Sequence, residues 1–204
     1  RPIKLNRWYE DLPNTVSNRN EQINLLTKFL SHSPVRQIYI QDCEADDVIG
    51  YLSKYQYKDD ELIIASSDKD YYQLISDRVR VWSPGQKRII DENKVREKFG
   101  VSVQNFCAAR CFAGDQSDGI KGAKGAGFKV LSKRFPELSL KKDYSVNDII
   151  NESNNKIKSG SKLKVFNEIV KIEKEAKKNW KLMYLDTAML NYDQIKSLNY
   201  QIEN

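Results

Sequence analysis

Histidine is nearly absent from this chain: His32 stands alone among 204 residues. A zinc hydrolase or a histidine-based catalytic triad therefore has little to work with. Cysteine is scarce too. Cys43, Cys107 and Cys111 are odd in number and lack C-x-x-C spacing, which argues against a disulfide framework and a structural zinc site. A reducing compartment fits such usage better. Cys107 and Cys111, four residues apart, read as small core residues on a helix. Five Pro and nine Gly are too few for a low-complexity linker. No window approaches the ~18 consecutive apolar residues of a membrane span, so no membrane partner is expected. The first residue is Arg1 rather than Met, and neither a signal h-region nor a transit peptide follows. The chain reads as a fragment or a processed product.

Hydrophobic residues make up 40% and charged residues 30%, and the mean hydropathy is −0.67. That balance is globular, and the length suits one domain or one domain with an appendage. The net charge of +6 is uneven. Residues 44–118 carry eleven Lys and Arg against fourteen Asp and Glu, whereas residues 119–181 carry sixteen against seven. A net +9 over that second stretch favours a polyanionic partner, most often nucleic acid. A Lys-rich solvated surface accounts for the charge equally well.

Apolar spacing predicts a helix over 17–32, a strand over 36–41, a helix over 45–55 and a buried strand over 61–66. A short helix at 71–75 precedes a hairpin, 78–83 with 88–90, turned at Pro84-Gly85. From about Asn93 the pattern is helical: 93–99, 102–112, 126–135, 145–152 and 161–179, with a polar loop over 151–161. Alternating strands and helices followed by helices alone predict an α/β sheet with flanking helices, then a helical region. The expected division is 1–92 and 93–204.

Three acidic clusters fall at element ends: Glu44-Ala45-Asp46-Asp47, Asp68-Lys69-Asp70, and Asp115 with Asp118. In an open α/β sheet, ligands bind beyond the carboxyl ends of the strands, where the first two clusters open. Glu44 with Asp47, and Asp115 with Asp118, are spaced so that each pair can present two carboxylates to one ion. Each cluster also has an ordinary structural role, as helix caps complementing the dipole or as turn residues. Seven carboxylates in one region repel unless a cation neutralises them. Oxygen ligands without His or Cys select hard ions such as Mg²⁺ or Mn²⁺, and a pair of such ions hydrolyses phosphodiesters. The glycine-rich run from Gly119 to Leu131 follows, with Lys121, Lys124 and Lys129 among its glycines. It matches neither a Walker A nor a dinucleotide fingerprint, but it lets backbone approach a phosphate closely. Trp8-Tyr9, Tyr71-Tyr72 and Phe128 read as core or partly buried aromatics, with stacking on unpaired bases as the other reading. His32 reads as a helix-end residue.

In this order the motifs resemble a known family, the 5′ nucleases of bacteriophages and bacteria. It includes phage 5′→3′ exonucleases (flap endonucleases) and the 5′-nuclease domain of bacterial DNA polymerase I. The resemblance covers about residues 40–135. It implies a PIN-like, resolvase-like sheet followed by a helix-hairpin-helix element at about 114–135. Residues 1–92 would then be the C-terminal part of the α/β nuclease core. It further implies that Glu44, Asp46, Asp47, Asp68, Asp70, Asp115 and Asp118 are the catalytic, metal-binding acids, holding two Mg²⁺ or Mn²⁺ ions. The hairpin, through Lys121, Gly122, Lys124, Gly125, Gly127 and Lys129, would grip duplex DNA backbone, with a K⁺ held by main-chain carbonyls. The implied activity is hydrolysis of phosphodiesters in flapped, nicked or 5′-ended duplex DNA and in RNA·DNA primers during replication. The implied compartment is the cytoplasm of a bacterium or a phage-infected host.

The sequence departs from the family in two respects. Gly119 stands where the family usually has Asn after its last acid. The two Asp-bearing strands that open the family's core have no counterpart in residues 1–43, which hold only Glu10, Asp11, Glu21 and Asp42. Arg1–Tyr9 resembles the end of the basic segment after the arch, so the core looks incomplete at its N-terminus. On that reading Asp68, Asp70, Asp115 and Asp118 form one complete ion site, and Glu44, Asp46 and Asp47 part of another. Two other readings follow. One is a structure-selective DNA-binding module with little or no catalysis. The other is a PIN-type ribonuclease, which leaves the Gly119–Leu131 hairpin unexplained.

Overall fold

The computed structural model describes residues 15–116, 118–185 and 190–203. The readings placed on Arg1–Tyr9, on Trp8-Tyr9 and on the Pro13-Asn14 turn lie outside the described residues. The chain divides into two compact units, residues 1–42 with 191–204, and residues 43–190.

In the first unit, helix α1 (Val16–Leu30) is capped by Thr15, whose hydroxyl accepts the Asn18 N–H at 3.1 Å. Residues 36–40 are not a strand, contrary to the alternation of Ile38 and Ile40 with polar residues. A strand needs a backbone partner. Here Gln201 provides one from a side chain: its amide accepts the Tyr39 N–H and donates to the Tyr39 carbonyl, both at 2.9 Å. Gln194, seven residues earlier and so on the same helix face, donates to the carbonyls of Gln41 and Asp42. Both glutamines belong to helix α9 (Tyr192–Glu203), which the sequence pattern did not reveal.

Among its described residues, the second unit is built on three strands, β1 (Leu62–Ala65), β2 (Val79–Ser83) and β3 (Arg88–Ile90), in that order. β1 and β2 are parallel, with Leu62 opposite Val79, and β2 and β3 antiparallel. Along β2, Val79, Val81 and Ser83 are buried while Arg80 and Trp82 face out, the period-two pattern of a sheet with one covered face. β1 follows the same rule rather than being buried throughout: Ile64 is inside and Ile63 is exposed.

Helices cover the inner face. α2 (Ala45–Tyr51) precedes β1 and ends in a π-helical turn over Leu52–Gln56. A 3₁₀ turn, Asp70–Leu74, lies in the β1–β2 connection. α3 (Glu92–Phe99) starts at Asp91, whose carboxylate accepts the Lys94 N–H at 2.9 Å. It stops at Gly100, where a φ of 73° suits glycine. α4 (Phe106–Ala113) and α5 (Phe128–Arg134) flank the glycine-rich run. Tyr72, Phe99, Phe106 and Phe128 form one aromatic cluster, with ring centroids 4.9–6.1 Å apart. Tyr72 and Phe128 therefore serve the core, as do Cys107 and Cys111.

α6 (Val146–Lys158) runs through most of the stretch expected to be a loop. A capping box between Ser145 and Asp148 starts it, and its polar residues at 151, 155 and 156 form its exposed side. The helix expected over 161–179 is two, α7 (Lys164–Lys171) and α8 (Glu173–Met183), which meet at Ile172.

Candidate metal centre

The carboxyl end of β1 runs into Ser66–Asp70, and the geometry there is set by short polar links. The Asp68 N–H donates to Ser66 Oγ at 3.1 Å, and the Asp70 N–H donates to Asp68 Oδ1 at 2.8 Å. This asparagine-type turn directs two carboxylates past the sheet edge. Across from them, Glu44 and Asp47 form a reciprocal capping box at the start of α2. The Asp47 carboxylate accepts the Glu44 N–H at 3.3 Å. Asp46, between them, accepts the Tyr71 hydroxyl at 3.0 Å. Tyr71, read from sequence as a core or stacking aromatic, thus also orients an acid. Burial first, and then the Asp46 charge, push the Tyr71 hydroxyl well above its ordinary pKa, so it remains a donor.

The third acidic cluster arrives from α4. Asp115 and Ile120 exchange N–H···O bonds of 2.8 and 2.7 Å, which closes a tight loop around Asp118. Gly114 and Gly119 take left-handed backbone angles there, φ 76° and 67°. Gly122 serves packing: a Cβ on it would lie 2.3 Å from the Phe112 carbonyl oxygen, so the run lies tightly along the end of α4. Asn179 of α8 fastens the same place, donating to the carbonyls of Cys111 and Lys121. Beyond it, Lys121, Lys124, Gly125, Gly127 and Lys129 are all exposed.

Six of the seven acids named from the sequence line one cavity of about 300 Å³: Glu44, Asp46, Asp47, Asp68, Asp70 and Asp118. Ile120, Leu182, Met183 and Leu185 complete its wall. Gln73 holds the far side in place. Its amide nitrogen donates to the carbonyls of Asp70 and Met183, and its oxygen accepts the Leu185 N–H. The seventh acid, Asp115, turns away from the cavity and is buried. It pairs with Arg110, so Asp115 and Asp118 do not present themselves side by side.

Arg110 was not legible as a site residue. It sits in α4 among buried apolar neighbours and is itself only 4% exposed. Its Nε lies 3.0 Å from Asp70 Oδ1, an ion-pair contact without the alignment of a hydrogen bond. Its terminal nitrogen bonds to Asp115 and lies 4.0 Å from Asp118. One signal was available: an arginine inside an apolar helical run must find a carboxylate, because a buried charge without a partner is too costly.

The electrostatics are those of crowded anions. The Asp70 carboxyl is pushed up from 3.8 to about 6, chiefly by burial. Arg110 opposes the shift, and Asp68, Asp118 and Asp46 add to it. Among the described residues no group of three or more acidic, histidine or cysteine side chains is already drawn together as an ion site. The six acids share a space rather than a point. Their chemistry, oxygen ligands only and an excess of negative charge, suits a hard divalent cation.

Residues 4–100 match the family model for the N-terminal resolvase-like domain of 5′-3′ exonucleases. The chain is 35% identical over 121 residues to a 5′-3′ exonuclease of Buchnera aphidicola, covering 57% of this chain and 42% of that one. It is 33% identical over 129 residues to the thermostable DNA polymerase I of Thermus aquaticus, covering 63% of this chain and 14% of the polymerase. The chain thus spans less than half the length of these curated relatives. Its fold is similar to that of the D15 flap endonuclease of bacteriophage T5, solved in a complex with DNA and metal ions. The TM-score is 0.72 at 24% identity, over 97% of this chain and 75% of the phage protein. With its acidic clusters in that order, at the end of a resolvase-like sheet and ahead of a lysine-bearing glycine run, the chain is similar to the 5′-3′ exonucleases over residues 4–100.

Proposed function

We propose that this chain supplies an acidic site and a DNA-gripping hairpin to a divalent-metal-dependent 5′ nuclease. Its substrates would be flapped, nicked or 5′-ended duplex DNA and RNA·DNA primers met during replication. The observation that carries this reading is the gathering of six carboxylates around one cavity, with the lysine-bearing glycine run starting at its rim. The family's phage member solved with DNA and metal ions supports it.

Asp68, Asp70 and Asp118, with Glu44, Asp46 and Asp47 opposite, would hold the ions, and Mg²⁺ or Mn²⁺ fits an oxygen-only set. Such ions, when bound, lower the pKa of water to make a nucleophile and stabilise the leaving oxygen. The chain's own residues do the positioning. Tyr71 fixes Asp46, the Ser66–Asp70 turn fixes Asp68, and the Asp115–Ile120 bridge aims the loop that bears Asp118. The exposed Lys121, Lys124 and Lys129 would meet phosphates along the duplex without reading sequence.

Asp70 makes ion binding pH-dependent. Its folded pKa lies above its ordinary value, so its protonated form favours the fold. That contribution is present below about pH 4 and fades as pH rises through about 6. A divalent ion must displace this proton. The rise in melting temperature produced by millimolar Mn²⁺ is therefore expected to be larger at about pH 7.5 than at about pH 5. Equal rises at the two pH values would argue against Asp70 as a ligand.

The function itself is tested with an end-labelled 5′-flapped duplex, incubated with Mg²⁺, with Mn²⁺ and with chelator. Ion-dependent release of the labelled 5′ strand, with a 3′-flapped control left intact, is the expected result. Salt-sensitive binding without cleavage under any ion would instead show a DNA-binding module. Cleavage that persists in chelator would overturn the metal reading.

A further inference from the structure

The guanidinium of Arg110 reaches acids from two separate segments. Asp70 follows β1, whereas Asp115 and Asp118 lie in the loop after α4. Two of those acids, Asp70 and Asp118, also line the cavity, and Arg110 does not. Around it α4 is apolar, since Phe106, Cys107, Ala108, Ala109, Cys111 and Phe112 are all buried. Among the described residues, its ion-pair partners are these three acids.

We propose that Arg110 is the built-in counter-ion of the acidic cavity. It pairs with Asp70 and Asp115, and by competing with the ion for Asp70, which lines the cavity, it sets how tightly the ion binds. This rests on the reading of the cavity as a divalent-ion site.

The physical argument is one of linkage. Carboxylates this close repel, and a metal-free fold must neutralise some of them to persist. A fixed guanidinium does so at no cost in concentration, and its planar fork can span two carboxylates, which an ammonium cannot. The same positive charge opposes a second cation among shared ligands. Such coupling between two sites typically changes affinity by about 5–150-fold, and it acts in both directions. Arg110 is thus a positioning residue that acts on the cavity through Asp70 and does not itself line it.

The test is calorimetric titration of Mn²⁺ into wild type and Arg110→Gln, paired with melting curves at several Mn²⁺ concentrations. Arg110→Gln is expected to melt lower than wild type without Mn²⁺. It should bind Mn²⁺ about 5–150-fold more tightly and recover its melting temperature as the ion is added. If Arg110 merely fills space in the core, the variant melts lower by the same amount at every Mn²⁺ concentration and its affinity is unchanged. That result, or weaker binding, overturns the proposal. Should Arg110→Gln fail to fold, Arg110→Lys decides instead: it keeps the charge but not the fork, and tighter Mn²⁺ binding supports the proposal while equal or weaker binding overturns it. Failure of wild type and both variants to bind Mn²⁺ at all would overturn the metal reading itself, and this proposal with it.

Discussion

Replacing Asp68 and Asp118 together with asparagine is expected to lower phosphodiester hydrolysis by at least about 10³-fold while leaving the fold intact. Both acids face the cavity and are exposed. The fold asks little of their charge. Asp68 accepts one backbone N–H, which an asparagine oxygen also accepts, and Asp118 lies 4.0 Å from Arg110. The chemistry asks for much more, because losing one electrostatic stabiliser at a reacting centre costs ~10²–10³ in rate. Asp115→Asn should behave in the opposite way. That acid is buried against Arg110 and does not line the cavity. Breaking a buried pair typically costs about 3–5 kcal/mol, visible as a lower midpoint in urea. A double variant of Asp68 and Asp118 that unfolds, or an Asp115→Asn protein as stable as wild type, would show that these roles are misassigned.

Changing Lys121, Lys124 and Lys129 to alanine is expected to weaken duplex binding about tenfold or more near 0.1 M salt, regardless of base sequence. The three side chains are exposed, so their charge is available to phosphate. Each lost phosphate contact removes about 0.9 from the slope of log affinity against log salt. The triple variant should therefore have a slope shallower by roughly 2.7. An unchanged slope would place the DNA on another face. Because none of the three lines the acidic cavity, Mn²⁺ binding should be retained.

The acids were legible because carboxylates at strand and helix ends are distinctive in a sequence, and six of seven do face one cavity. What could not be read was the division of labour among them. Asp115 and Asp118 are three residues apart, but the bridge between Asp115 and Ile120 turns one inward and leaves the other out. Arg110 was hidden for a related reason: its meaning depends on Asp70, forty residues earlier, and no local pattern records that meeting. In the fold, periodicity succeeded where one face is buried, as along β2, and failed where a side chain replaced a backbone partner. Residues 36–40 carry strand-like alternation, yet the amide of Gln201 takes the hydrogen bonds of Tyr39. The polar stretch from Asn151 to Lys158 looked like a loop because its solvent-facing residues outnumber the buried ones; Ser153 is buried with its hydroxyl donating to the Ile149 carbonyl.

Calorimetric titration of Mn²⁺ into wild type and the Asp68→Asn, Asp118→Asn double variant tests most directly whether the acidic cavity is a divalent-ion site. Saturable binding by wild type, with release of protons near pH 6 and loss of binding in the double variant, is the predicted result. Equal binding by both proteins, or none by wild type at millimolar Mn²⁺, would contradict it.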